Sequence, residues 1–186
     1  MQHPRDLAQA RIPNLRMPTP KDGAVIWELV RACKPLDENS MYCNVIQCDH
    51  FAETCVLAEV AGKTVGWVSA YVMPKDPKTL FVWQVAVAEE ARGLGLGTLM
   101  LKTILGRDAC SGVRRVQTTI TSDNEASWAL FRKFGKAEGN KLDERPYYRQ
   151  ELHFQDRYKT ENLVTIPLAE ASKKPPLSDF ILTSTK

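Results

Sequence analysis

The stretch FVWQVAVAEEARGLGLGTLMLK, residues 81–102, decides the fold. Phe81, Val82, Trp83, Val85 and Val87 form an apolar run rich in β-branched and aromatic residues, which predicts a buried strand. A polar turn, Ala88-Glu89-Glu90-Ala91, leads to Arg92-Gly93-Leu94-Gly95-Leu96-Gly97, and from Thr98 the positions Leu99, Met100, Ile104 and Leu105 fall near helical spacing. Strand, glycine-rich turn and helix in that order present free backbone N–H groups and the positive end of a helix dipole to an anion, usually a phosphate. Glycine suits such a turn because a Cβ would hold the phosphate off the backbone and disfavour positive φ.

Working outward, the order of elements is that of a mixed α/β domain. Leu15-Arg16-Met17 reads as a short strand, and Thr19-Pro20-Lys21-Asp22 opens a helix with Val25, Ile26, Leu29 and Val30 on its apolar face. Residues 36–49 read as a loop with a short second helix. Residues 54–59 and 64–72 read as a hairpin turning at Ala61-Gly62-Lys63, followed by the central strand at 80–87 and a helix over about 95–109. Then come a strand at 113–121, a helix capped by Asp123-Asn124 and ending at Gly135, and strands at 146–154 and 163–168. The first half is expected to be mostly antiparallel, and the helix at 95–109 to make one right-handed crossover. Residues 1–11 are expected to be disordered, and 169–186, with Lys173-Lys174-Pro175-Pro176, to be a flexible tail.

Composition narrows the function. The 186 residues fit one domain, and a formal charge of +3 with no basic cluster beyond Arg114-Arg115 or Lys173-Lys174 excludes a nucleic-acid binder. No apolar run reaches the roughly 20 residues of a membrane span, and residues 1–13 lack the apolar centre of a signal peptide. A cytoplasmic protein is expected. Five cysteines, an odd number without paired spacing, read as free thiols. Cys43, Cys48, His50 and Cys55 do not have the spacing of a structural zinc site, so no metal is expected.

The glycine turn lacks the Lys of a P-loop and the G-x-G-x-x-G spacing of a dinucleotide fingerprint. Arg92-x-x-Gly95-x-Gly97 instead resembles the pyrophosphate loop of the GNAT-type N-acetyltransferases, which bind acetyl-CoA. Asn124-Glu125-Ala126-Ser127-Trp128-Ala129-Leu130-Phe131-Arg132-Lys133-Phe134-Gly135 resembles that family's second signature, with Ser127 at an Ala position and Phe131 at the position of a Tyr that often protonates the departing thiolate. The resemblance covers about residues 12–168 and implies the GNAT fold, a central mixed sheet of six to seven strands with flanking helices. Three stretches carry it further: PLDENSMYCNVIQCDHFAETCVLAE (35–59), TLFVWQVAVAEEARGLGLG (79–97) and TSDNEASWALFRKF (121–134). They resemble the L-2,4-diaminobutyrate acetyltransferases of ectoine biosynthesis, which acetylate the 4-amino group. Tyr158 departs from the His expected there from the resemblance.

The resemblance implies acetyl-CoA as co-substrate, L-2,4-diaminobutyrate as acceptor and a homodimer. It assigns cofactor binding to Val85, Ala86, Val87, Arg92, Gly93, Leu94, Gly95, Leu96, Gly97, Thr98, Asn124 and Ser127. A backbone N–H between Val85 and Val87 would polarise the thioester carbonyl. The acceptor amine must lose a proton, because an alkylammonium titrates near pH 10; Glu161, Asp37 or a water chain is the candidate base. A substrate with two ammonium groups and one carboxylate needs acidic and polar neighbours, and Asp37, Asn39, Tyr42, Trp83, Gln84 and Glu161 are the candidates. Each has a plainer role open to it: Asp37 as a helix cap, Trp83 as core, Tyr42 as a surface aromatic, Val85 and Val87 as ordinary packing. An acetyltransferase of another small amine, such as lysine, ornithine or a polyamine, and a non-catalytic acetyl-CoA sensor stay open as alternatives; Phe131 favours the sensor.

Overall fold

Residues 76–87 form the longest strand, and the sheet is built outward from it. The computed structural model describes residues 12–139 and 141–169. Its strands are β1 (Asn14–Arg16), β2 (Val56–Val60), β3 (Lys63–Met73), β4 (Asp76–Val87), β5 (Arg115–Thr121), β6 (Asp143–Tyr148) and β7 (Glu161–Pro167). Its helices are α1 (Gly23–Ala32), α2 (Met41–His50), α3 (Leu96–Leu105), α4 (Glu125–Ala137) and the single turn α5 (Gln150–His153). The sheet order is β1-β2-β3-β4-β5-β7-β6, and only β4 and β5 run parallel. The mixed sheet expected with six to seven strands is present with seven, and the crossover runs through α3.

Strand alternation sends side chains to two cores, one on each face. Leu57, Trp67 and Ala86 face α1 with Ile26, Leu29 and Val30. Val56, Ala58, Val68, Leu80 and Val82 face α3 and α4, where Met100, Ile104, Phe131 and Phe134 close the layer. α3 and α4 approach closely because residue 97 is glycine; a Cβ there would stand 2.9 Å from Leu130 Cδ1. At the β1 edge, Arg16 bridges Asp22 and Glu59 at 2.7 Å each. Hydrogen bonding to that guanidinium holds the Asp22 carboxyl down at about 2.

Several boundaries differ from the sequence reading, for identifiable reasons. Residues 41–50 are a full helix rather than mostly loop, because Ser40 caps it by accepting from Cys43 N–H at 3.1 Å. The helix after the glycine turn stops at Leu105, with Gly106 as its C-cap, and a separate single turn spans Asp108–Cys110. Gly135 does not terminate α4, which runs on to Ala137; the positive φ lies at Gly139. The strand expected over 146–154 begins earlier, at Asp143, and ends at Tyr148, where a register shift after Pro146 precedes α5. Pro146 is tolerated because β6 is an edge strand. The expectations for residues 1–11 and for the tail beyond Ala169 lie outside the described residues.

The short pairing of β4 with β5 positions the site. β4 and β5 pair over only three residues, Thr79↔Arg115, Leu80↔Val116 and Phe81↔Gln117. Asp76 pins this end, accepting from Thr79 Oγ1 at 2.6 Å and from Arg115 at 2.7 Å. Beyond Phe81, β4 stays with β3 through Val87, while β5 stays with β7 through Thr121. The sheet splits into a wedge between the two halves.

Candidate active site

Two clefts, each about 340 Å³, fill the wedge. Pro35, Leu36, Val85, Asn124 and Ser127 line both, so the clefts open onto each other across the free edge of β4.

The first cleft is built on backbone. Gly93 and Gly95 take φ of +76° and +77°, a region costly for any residue with a Cβ. They turn the chain so that α3 starts at Leu96 with its N-terminus toward the cleft. The first intrahelical bond is Leu99 N–H to Gly95 O, 3.1 Å, so the N–H groups of Leu96, Gly97 and Thr98 have no intrahelical acceptor. Thr98 Oγ1 is buried beside them and has no hydrogen-bond partner. Arg92, Lys34 and Lys133 add three cationic side chains to a wall that is otherwise mostly apolar. An orphaned hydroxyl, a glycine cradle and positive charge fit a diphosphate with an apolar arm.

Strand geometry aims two more donors into the wedge. Ala88 N–H donates to Val65 O at 2.9 Å, so alternation directs the Ala86 amide toward β3 as well. The amides of Val85 and Val87 therefore point to the opposite edge, which β5 has left. The carbonyls agree: Val87 O, on that edge, accepts from Arg92 Nε at 3.1 Å and from Cys33 Sγ at 3.3 Å.

The second cleft is built on side chains. Asp37, Asp123 and Glu161 bring three carboxylates to its wall, and Lys159 is the one cation lining it among the described residues. Burial raises the Glu161 carboxyl above the usual range; a Thr119 hydrogen bond opposes this, and the nearby carboxylates of Asp37 and Asp123 reinforce it. Glu161 Oε2 is buried without a hydrogen-bond partner. Glu161, Asp37 and Tyr158 also line a third, open pocket of about 360 Å³.

The model of the Acetyltransferase (GNAT) family matches residues 24–136. The chain belongs to this family. Among its relatives, the L-2,4-diaminobutyric acid acetyltransferase of Methylotuvimicrobium alcaliphilum is 47% identical over 82% of this chain and 88% of its own. That of Vibrio cholerae is 43% identical over 84% and 91%. A solved GNAT structure, the diaminobutyrate acetyltransferase of Paenibacillus lautus in complex with L-2,4-diaminobutyric acid and coenzyme A, superposes with a TM-score of 0.80. It is 38% identical and covers 84% of this chain and 95% of that one.

This GNAT wedge gathers most of the residues singled out from sequence. Val85, Val87, Arg92, Gly93, Gly95, Leu96, Gly97, Thr98, Asn124 and Ser127 line the first cleft; Asp37, Asn39, Trp83, Gln84 and Glu161 line the second. Asp37 is not a helix cap, since Ser40 has that role, and Trp83, at 47% exposure, is not core. Three residues lie elsewhere. Tyr42 points out from the first turn of α2 at 73% exposure and lines neither cleft. The Leu94 side chain, 79% exposed at the loop apex, and Ala86, buried under α1, do not line the clefts either.

Gln84 lies at the second cleft, but its amide is engaged by protein. Nε2 donates to Asp37 O at 2.8 Å, and Oε1 accepts from Asn39 at 3.4 Å. It pins the Asp37–Asn39 loop. Asn124 likewise caps α4, accepting from Ser127 N–H at 3.1 Å.

The sequence reading missed Lys133, Thr119, Asp123 and Lys159. Lys133 was findable: it follows Ser127 and Leu130 at three-residue steps and so shares their helix face. Thr119 and Asp123 reach the cleft because β5 parts from β4 beyond Phe81, and Lys159 because β7 pairs with β5, neither of which a local pattern signals.

All five cysteines are unpaired thiols. Burial pushes Cys48 and Cys55 up to about 12 and Cys110 to about 11, far from the thiolate range of a nucleophile. Among the described residues, no group of three His, Cys, Asp or Glu side chains is placed to hold a metal, and no helix is long and apolar enough to cross a membrane.

Proposed function

We infer that this GNAT enzyme transfers acetyl from acetyl-CoA to the 4-amino group of L-2,4-diaminobutyrate, the acetylation that feeds ectoine biosynthesis. The observation that carries the reading is the junction at Val85: an anion-gripping backbone cleft opens onto a cleft with two carboxylates, Asp37 and Glu161, that no cation neutralises by a direct ion pair among the described residues. The relatives acting on diaminobutyrate give that acidic cleft its substrate.

In this account the amides of Leu96 to Thr98 and the Arg92 guanidinium hold the diphosphate, and the α4 start with Ser127 flanks the pantetheine arm. The thioester then lies along the free β4 edge, where the Val85 or Val87 N–H stabilises the oxygen as it gains negative charge. Glu161 Oε2 accepts the proton that makes the 4-nitrogen nucleophilic, since a carboxylate raised toward neutrality is a better base than an ordinary one. Asp37 holds the second ammonium. Phe131 has no proton to give the leaving sulfur, and none is required, because a thiol with a pKa near 8.5 leaves readily as thiolate.

We further propose a homodimer: β6 is an edge strand exposed along all six residues, including Tyr147 and Tyr148, which suits burial against a second copy. A cytoplasmic location follows from the co-substrate. Light scattering tests the dimer.

Purified protein supplied with acetyl-CoA and L-2,4-diaminobutyrate should release free thiol, with the acetyl on the 4-nitrogen by NMR. Exclusive acetylation of the 2-nitrogen would refute the regiochemistry. Faster turnover of lysine, ornithine or a polyamine would reassign the substrate, and no release with any amine would leave a binding module.

A further inference from the structure

The charges in the second cleft do not match a simple diamine. Asp37 and Glu161 can each hold one ammonium, yet the lining also carries Lys159. Its Nζ lies 2.6 Å from Asp123 Oδ2, joining the segment before β7 to the loop before α4 across the cleft. The backbone around it is held, because Thr160 Oγ1 accepts from Gln150 N–H at 3.0 Å. The pair itself is loose, because both side chains are more than half exposed and water screens them. An ammonium has three donors, so Lys159 can keep Asp123 and still offer a proton to a second carboxylate.

We propose that Lys159 is the specificity-determining residue that reads the α-carboxylate of the acceptor, so that the site prefers a diamino acid over the bare diamine of the same length. Asp123 is its positioning residue: the ion pair biases Nζ toward Asp123 at the cleft wall, and among the described residues Lys159 forms no ion pair with Asp37 or Glu161. The three substrate charges then meet three protein charges of opposite sign, and the carboxylate end is fixed to the β7 side. This assignment rests on the proposed acetyl transfer to diaminobutyrate and adds to it the residue that recognises the acid.

The test compares L-2,4-diaminobutyrate with 1,3-diaminopropane, which is the same chain without the carboxylate. The ratio of their kcat/KM values should fall about tenfold or more in Lys159→Met, the size expected for losing one charge-assisted hydrogen bond. Lys159→Arg should recover most of the ratio, and Asp123→Asn should lower it by a smaller factor. An unchanged ratio in Lys159→Met, or an equal loss with both amines, overturns the assignment. Those results leave the proposed reaction standing, whereas failure of the unsubstituted enzyme to acetylate either amine removes the reaction and this inference together.

Discussion

The two clefts that meet at Val85 are made of different material. One is a conformation: two glycines at positive φ, a helix N-terminus and the free edge of a strand offer N–H groups that no side chain supplies. The other is a constellation, with Asp37, Trp83, Thr119, Asp123, Lys159 and Glu161 drawn from five separate segments. A conformational site is robust to most surface changes and sensitive to any added Cβ. A constellation can lose one charge and keep its shape. Substitutions should therefore divide cleanly, with one set moving CoA affinity and the other moving turnover of the amine.

The largest expected effect is at Glu161. Glu161→Gln keeps the shape and removes the proposed proton acceptor, so kcat/KM for the amine should fall about 100- to 10,000-fold while CoA affinity by calorimetry stays within about twofold. In the unsubstituted enzyme kcat/KM should decline on the acid side, as Glu161 protonates, with its inflection above the ordinary carboxylate range because burial raises the group. A profile flat down to pH 4.5, or a Gln variant of ordinary activity, would move the base elsewhere.

Gly95→Ala tests the other cleft. Its φ of +77° disfavours any Cβ, and nothing in the protein lies within 4 Å of the added atom, so the protein should still fold. The CoA dissociation constant should rise about tenfold through backbone strain and the displaced diphosphate. A rise in the amine KM alone would contradict the division.

That division also explains what was legible from the chain. The glycine loop, the flanking strand and the helix are contiguous, so a single window of residues 81–102 exposed their geometry, and Thr98 came with them. Asp37, Trp83 and Glu161 come from resemblance rather than pattern, since no spacing within their own segments marks them as ligands. Gln84 illustrates the remainder: a polar residue at the right place whose amide turns out to grip Asp37 O and Asn39. Tyr42, two residues into α2, shares that sequence neighbourhood yet points away, because the helix begun by the Ser40 cap rotates it outward. Helical phase decides this, and an expectation of mainly loop over residues 36–49 carries no phase.

Gln84→Leu sharpens the comparison at a smaller scale. It should free the Asp37 loop and raise the amine KM about five- to tenfold without touching CoA affinity. The effect should vanish in an Asp37→Asn background, where the pinned carboxylate is already gone. The smallest effect is on stability. Because Glu161 is raised in the folded protein, its contribution favours folding below its unfolded value and is lost as pH rises through its folded one. Glu161→Gln should thus melt slightly higher than the parent at pH 8, by about 1–2 °C after allowing for solvent screening, and no higher at pH 4.

The most direct test of two clefts opening onto one another is calorimetry with a bisubstrate adduct, in which the CoA sulfur is joined through an acetyl bridge to the 4-nitrogen of L-2,4-diaminobutyrate. The adduct should bind at least about 100-fold more tightly than CoA, since the second cleft is filled without a second association cost. Binding no tighter than CoA itself would mean that the clefts do not communicate at Val85.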